Sequence, residues 1–338
     1  MPPNILQFDL TPDLRICRIV NGMWQVSGAH GPIEPAAALR NMLDYFDAGL
    51  TTWDLADHYG PAEDFIGAFR RELSARRGAG ALAKLHAFTK WVPQPGRVSR
   101  NAVQAAVDLS LRRMNVERLD LLQFHWWEYD DPAYLDALHF LMELKTEGKL
   151  RHLALTNFDT AHVRTIVESG IEVVSNQIQF SLIDRRPEVK MIPYCAAHGI
   201  WLLPYGTLCG GLLSEAYLGK PEPRGAALNT ASLQKYKRMI DAWGGWELFQ
   251  QLLRTLEGIA QRYEASIANV ATRYVLDEPT VAGVIVGARL GVSDHRDDNV
   301  RAFDLELTAD DRAAIDAVLA RSNDLFRIIG DCGDEYRR

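Results

Sequence analysis

Eight apolar, β-branched runs, spaced by segments of helical periodicity, constrain this chain more than any other feature. They fall at residues 19–26, 51–56, 87–92, 119–126, 150–158, 173–181, 200–208 and 281–288. Most lack polar–apolar alternation, as strands covered on both faces do, and parallel strands joined by helices are the arrangement that covers both faces. Between them, residues 35–48, 63–76, 99–115, 132–147, 161–168 and 187–198 carry apolar positions at helical spacing. Eight such units close into a (β/α)8 barrel. A doubly wound sheet ordinarily has fewer strands and a glycine-rich first turn, whereas this chain has neither GxGxxG nor GxxxxGK[ST]. The expected fold class is therefore α/β, a (β/α)8 TIM barrel forming one domain over residues 1–338.

A barrel of this kind takes about 250 residues, so the excess falls in additions. The largest is a long insertion between strands seven and eight, residues 209–265. It opens on Gly210, Gly211, Gly219, Pro221, Pro223 and Gly225 and turns helical over 232–263. It reads as a loop over the barrel mouth, with Trp243, Trp246 and Phe249 as its own packing cluster. Residues 5–17, centred on Thr11-Pro12-Asp13, read as an N-terminal β-hairpin plugging the barrel bottom. Residues 322–338 form a C-terminal tail.

The charge balance narrows the partners. With 37 basic and 44 acidic residues the chain carries −7, which argues against a polyanion-binding surface and so against nucleic acid. Residues 199–213, the most apolar stretch, are broken by Pro204 and glycines and are short of the ~20 residues a bilayer span needs. Cys17, Cys195, Cys209 and Cys332 show no CxxC pair, and Met1 to Leu10 has no basic, then apolar, leader pattern. A cytoplasmic enzyme acting on a small molecule, away from membranes, is expected.

In such barrels the chemistry sits where strands end. The second strand runs out in Trp53-Asp54-Leu55-Ala56-Asp57-His58-Tyr59-Gly60, the third in Thr89-Lys90-Trp91, and the fourth in Phe124-His125-Trp126-Trp127. An unpaired buried charge costs several kcal/mol, so Asp54 and Lys90 are expected to pair. A tyrosine has a pKa of about 10, and a neighbouring cation favours its phenolate by ~1.4 kcal/mol for each unit of depression. Lys90 is thus expected to lower the pKa of Tyr59, and His125 to hydrogen-bond a carbonyl or alcohol oxygen. The set suits carbonyl–alcohol interconversion.

Taken singly, each has an ordinary structural explanation: Asp54 as a cap, Lys90 as a rim charge, Tyr59 as a wall, His125 as a core histidine. Together on adjacent strands they outweigh it. Two alternatives stay open. A metal-dependent hydrolase would use Asp54, Asp57, His58 and His125, although the first strand lacks HxH and Lys90 and Tyr59 would then be idle. A regulatory barrel would bind a cofactor with little turnover. No metal is expected on the leading reading.

The four residues Asp54, Tyr59, Lys90 and His125 resemble the catalytic tetrad of the aldo-keto reductase superfamily, nicotinamide-dependent barrel enzymes. The resemblance extends to Gly22-Met23-Trp24, Leu155-Thr156-Asn157-Phe158, Ser175-Asn176-Gln177, Leu203-Pro204-Tyr205-Gly206-Thr207-Leu208, and Val284-Ile285-Val286-Gly287-Ala288-Arg289 followed by Asp298-Asn299. It is nearest to bacterial and plant members with a DHYG strand end and an IDRRP segment, Ile183 to Pro187 here. It implies an oxidoreductase interconverting an aldehyde or ketone and its alcohol, with Tyr59 as general acid/base. It also implies that Tyr205 stacks on the nicotinamide and that Thr156, Asn157 and Gln177 hold the carboxamide. Gly22, Met23, Trp24, Gly206, Thr207, Leu208 and Gly287 are implied to line the cofactor site, and Asp298 and Asn299 its adenosine end. Arg289 at the 2′-phosphate implies NADPH in preference to NADH. The stretch from Gly287 to Asn299 is two residues longer than the usual family spacing, so Arg289 and Arg296 are both candidates for that phosphate. Trp24, Trp126 and Trp127 are expected to wall the substrate pocket, which leaves the substrate itself, sugar or apolar aldehyde, undetermined.

Overall fold

The computed structural model describes residues 7–28, 30–94 and 96–337. Residues 1–6, with Ile5 and Leu6 of the expected hairpin and most of the Met1–Leu10 start, and Arg338 of the tail lie outside the described residues. Strands β1 (Gln7–Thr11) and β2 (Leu14–Cys17) pair antiparallel as a hairpin. Eight parallel strands follow: β3 (Ile19–Gly22), β4 (Thr52–Asp54), β5 (His86–Trp91), β6 (Leu119–Phe124), β7 (Leu150–Thr156), β8 (Ser175–Gln177), β9 (Trp201–Leu202) and β10 (Val284–Gly287). From β3 to β8 each pairs with its successor, and β10 pairs with β3. Bridges Leu202–Val281 and Tyr205–Ile285 join the β9 and β10 sides and close the ring. This is the (β/α)8 barrel.

Leu10, Leu14 and Ile16 of the hairpin cluster with Phe88, Leu121, Ala154 and Val174, so the hairpin seals one end of the barrel. Outside the ring, helices bury one stripe each. Ala133–Thr146 buries Tyr134, Ala137, Leu138, Leu141 and Leu144, the spacing of a single helical face. Helix ends follow local chemistry: the Ser99 hydroxyl accepts from Ala102 N at the start of Arg100–Met114, and Asn115 ends it in the left-handed region.

Several strands stop short of their apolar runs. The run at 200–208 is strand only at Trp201–Leu202, because Pro204 has no N–H to give and Gly206 takes φ +75°. The run at 19–26 leaves the sheet at Gly22 and becomes a 3-10 turn, Trp24–Ser27. The helical stretch at 232–263 is two helices, Ala231–Trp243 and Gly245–Arg262, divided at the Gly244-Gly245 pair. A further helix, Ile267–Leu276, starts from a capping box between Ser266 and Asn269 and was not foreseen. Trp243 and Phe249 pack with Tyr236, Met239 and Leu252 in a second core between these helices. Among the described residues no helix is long and apolar enough to cross a membrane.

Candidate active site

The strand ends opposite the hairpin open on a cavity of about 820 Å³, within the range of small-molecule and cofactor sites. Its floor is an ion pair. Asp54 closes β4 and Lys90 lies on β5, at 3% and 4% exposure. Lys90 Nζ donates to Asp54 Oδ2 at 2.5 Å and to the Leu55 carbonyl at 2.8 Å. The other carboxylate oxygen accepts from Gln123 Nε2 and Gln177 Nε2, both at 2.7 Å. Burial pulls the Lys90 pKa down against the upward pull of Asp54. Four strands thus meet in one hydrogen-bonded cluster, which satisfies a pair that would otherwise be costly to bury. Gln123 was missed in the sequence, where its signal was a polar residue among the apolar side chains at the C-terminal half of β6.

Tyr59 stands in the turn before the helix Ala62–Arg77 and lines the cavity, with Lys90 Nζ 5.0 Å from its ring centroid. The expected depression of its pKa does not occur. Removal from water, then the charge of Asp54 and the proximity of Tyr336 and Asp57, hold the phenol well above its ordinary value. The Lys90 charge is already balanced by Asp54, so Tyr59 is a protonated phenol at neutral pH.

His125 follows β6 and is 3% exposed. Its Nδ1 lies 3.0 Å from the Thr156 carbonyl, which can only accept, so Nδ1 carries the proton. Burial brings the ring pKa down to about 4, and the imidazole is neutral. Nε2 therefore presents a lone pair, and it is buried without a partner among the described residues. Of the two partners expected for His125, a carbonyl or an alcohol oxygen, this tautomer suits the alcohol, whose O–H can donate to Nε2, and has no proton to give a carbonyl oxygen.

Inward and outward side chains alternate past the end of β6. Gln123 and His125 point in, and so does Trp127, which lines the cavity. Trp126 points out, fully buried beside Phe124, its Nε1 donating to the carbonyls of Glu128 and Asp131. Trp126 is therefore not a pocket wall. Met23 is likewise buried in the core, and its backbone N donates to the Asp54 carbonyl. Trp24, next in sequence, does line the cavity.

The remaining walls hold Gly22, Thr156, Asn157, Gln177, Tyr205, Gly206, Thr207, Leu208, Gly287, Arg289, Asp298 and Asn299. Arg289 donates to the His30 carbonyl at 3.2 Å. Arg296 instead grips both carboxylate oxygens of Asp294 and is absent from the lining. Gln25, on the 3-10 turn after β3, and His30, Ser293 and His295, on loops, also line the cavity and were missed, since no strand register marks them. So do Leu213, Ser214 and Tyr217 of the insertion. From the tail, Tyr336 reaches the wall with its ring 6.2 Å from that of His125. Arg186 anchors this tail by donating to the Asp331 carbonyl and to Glu335, and Arg337 donates to the Trp126 carbonyl.

Asp57, a ligand in the hydrolase alternative, is bonded to His58 at 2.8 Å, and Asp54 is held by Lys90. Among the described residues no three His, Cys, Asp or Glu side chains group to hold a metal ion. A sequence profile of the Aldo/keto reductase family matches residues 18–320. The chain belongs to that family. This aldo-keto reductase is 24% identical to the NADH-specific methylglyoxal reductase of Escherichia coli strain K12, over 88% of this chain and 93% of that protein. It is 27% identical to Protein tas of the same strain, over 82% and 87% of the two chains. Among solved structures, the glycerol dehydrogenase AKR11B4 from Gluconobacter oxydans superposes with a TM-score of 0.72 at 24% identity, covering 94% of this chain and 96% of that one. As an aldo-keto reductase it is an NAD(P)-dependent oxidoreductase acting on the CH–OH/C=O pair.

Proposed function

We propose that this enzyme interconverts a small aldehyde or ketone and its alcohol with NADPH, using Tyr59 as the general acid/base. The observation that carries the reading is a protonated phenol facing the same cavity as the unpartnered Nε2 of His125, in a site whose far wall bears Arg289. The residues present fit a nicotinamide. Gln177 Nε2 is committed to Asp54, and Asn157 Oδ1 accepts from Tyr205 O–H at 2.8 Å. Gln177 Oε1 and Asn157 Nδ2 are left as the acceptor and donor that complement a carboxamide, in the same cavity wall as Tyr205. Arg289 supplies positive charge for a 2′-phosphate. A bound nicotinamide would supply the hydride, which no side chain here can.

In the reductive direction Tyr59 gives its proton to the carbonyl oxygen. Lys90 Nζ lies 5.0 Å from the centroid of the ring that then bears the negative charge. Asp54, Gln123 and Gln177 fix Lys90 in place. His125 Nε2 accepts a hydrogen bond from a hydroxyl, either the alcohol being formed or one adjacent to the carbonyl. The insertion 209–265 and the tail 322–338 serve as the cover of a single barrel domain. Four buried, free thiols suit a reducing cytoplasm.

The test is a titration of tryptophan fluorescence with NADPH and NADH, with Trp24 and Trp127 as reporters in the cavity wall. Saturable quenching that favours NADPH is expected. Arg289→Ala should weaken NADPH about tenfold more than NADH, a difference of ~1.4 kcal/mol, and Arg296→Ala should change neither. Absence of binding by both cofactors would overturn the reading, and equal losses in Arg289→Ala would overturn the phosphate assignment.

A further inference from the structure

Lys235 lies in the helix Ala231–Trp243 of the insertion and lines the cavity with Tyr205, Tyr236 and Tyr336. Its Nζ is 5.0, 5.5 and 4.6 Å from the ring centroids of Tyr205, Tyr236 and Tyr336. It donates to the Tyr336 hydroxyl. The Tyr336 hydroxyl is 2.8 Å from that of Tyr205, which donates on to Asn157. This chain of hydrogen bonds and three aromatic faces fix the ammonium at the catalytic end, with Tyr336 between it and His125.

Among the described residues no carboxylate pairs directly with the ammonium, although Glu335 stands near enough to feel its charge. None has an oxygen within 4.0 Å of Nζ, whereas Lys237, two positions on, is paired with both Glu222 and Asp241. The nearby Glu335 is held at 2.9 Å by Arg186, which also binds Asp184. The carboxylates in the cavity wall are engaged elsewhere: Asp54 with Lys90, Glu215 with the Ile267 backbone, Asp298 with Ser266. A net cation in a partly water-excluded pocket recovers its lost solvation from an anion. One ammonium proton goes to Tyr336, and the others have no acceptor of this kind.

We infer that Lys235, with the Tyr336 hydroxyl beside it, is an anion subsite of the substrate pocket, and that the preferred carbonyl substrates carry a carboxylate or a phosphate. The inference rests on the carbonyl-reductase reading above. The charged group docks on Lys235 while the carbonyl faces Tyr59 and His125, so the subsite sets orientation as well as affinity.

The experiment compares matched pairs with the full chain and NADPH: 4-oxobutanoate against butanal for a carboxylate, and glycolaldehyde phosphate against glycolaldehyde for a phosphate. In the wild type, kcat/KM for the anion of at least one pair should exceed that of its neutral partner by tenfold or more, chiefly through KM. Which pair shows it identifies the anion. Lys235→Met should bring that ratio close to one, and Lys235→Arg should keep most of it. Equal or better use of both neutral partners by the wild type would overturn the inference. So would a Lys235→Met variant that loses both members of a pair equally, or one whose NADPH affinity, read by fluorescence, falls by the same factor, since the lysine would then serve the cofactor. Absence of turnover with all four carbonyls would overturn the reductase reading and this inference with it, whereas turnover without anion preference overturns this inference alone.

Discussion

The two ends of the cavity are built differently. At the floor, Asp54, Lys90, Gln123 and Gln177 come from four strands and are bonded side chain to side chain, and His125 beside them is tied to the β7 backbone. At the far wall, Arg289 is an exposed side chain on the loop after β10, tied to a backbone carbonyl, and Asp298 is tied to the Ser266 hydroxyl. The floor is preorganised by strand register and cannot move without disturbing the barrel. The far wall can be altered piecemeal, as suits the cofactor-selecting role proposed for it above.

That contrast predicts a gradient of effects. The largest is at Asp54. Asp54→Ala leaves Lys90 buried without its partner, for which ~3–5 kcal/mol of lost stability is expected by urea unfolding. A loss below about 1 kcal/mol, the scale of an exposed pair, would show that the floor is not what we describe.

Next is His125, through pH. Its folded-state pKa is about 4, against about 6.5 for an unperturbed histidine. Between those values the unfolded chain binds a proton that the folded chain does not, so stability rises with pH there and is lost as pH falls from 6.5 toward 4. The loss attributable to this ring is about 3 kcal/mol. Unfolding measured at pH 7 and pH 4.5 should show a steeper acid loss in the wild type than in His125→Asn, and parallel curves would contradict the buried neutral ring. The smallest effect belongs to the far wall: Arg289→Ala should shift stability by no more than about 0.5 kcal/mol although it weakens NADPH.

The same contrast explains what the sequence made legible. Asp54, Lys90 and His125 each interrupt an apolar run at a strand end, so period and position alone marked them, and the eight runs gave the barrel. Trp126 was misplaced because adjacency to His125 was taken for a shared direction, when alternation past β6 turns its ring into the core. The direction of the Tyr59 pKa differs from expectation because the Asp54–Lys90 pair, itself legible in the sequence, neutralises the cation, and because the desolvation of the phenol is a property of the packed site. Ser293, His295 and Tyr336 reach the cavity from loops and the tail, where no periodicity reports which way a side chain turns. Arg296, the other candidate for the phosphate, is held at both ends of its guanidinium by Asp294.

The central claim is that Tyr59 moves the proton. The most direct measurement is the steady-state rate of Tyr59→Phe on an aldehyde that the wild type reduces, with NADPH affinity measured in the same preparation. The ring keeps its shape and only the proton donor is lost, so kcat should fall by about 10² or more, while the NADPH Kd stays within about twofold, less than 0.5 kcal/mol. Turnover at the wild-type rate in that variant would contradict the account.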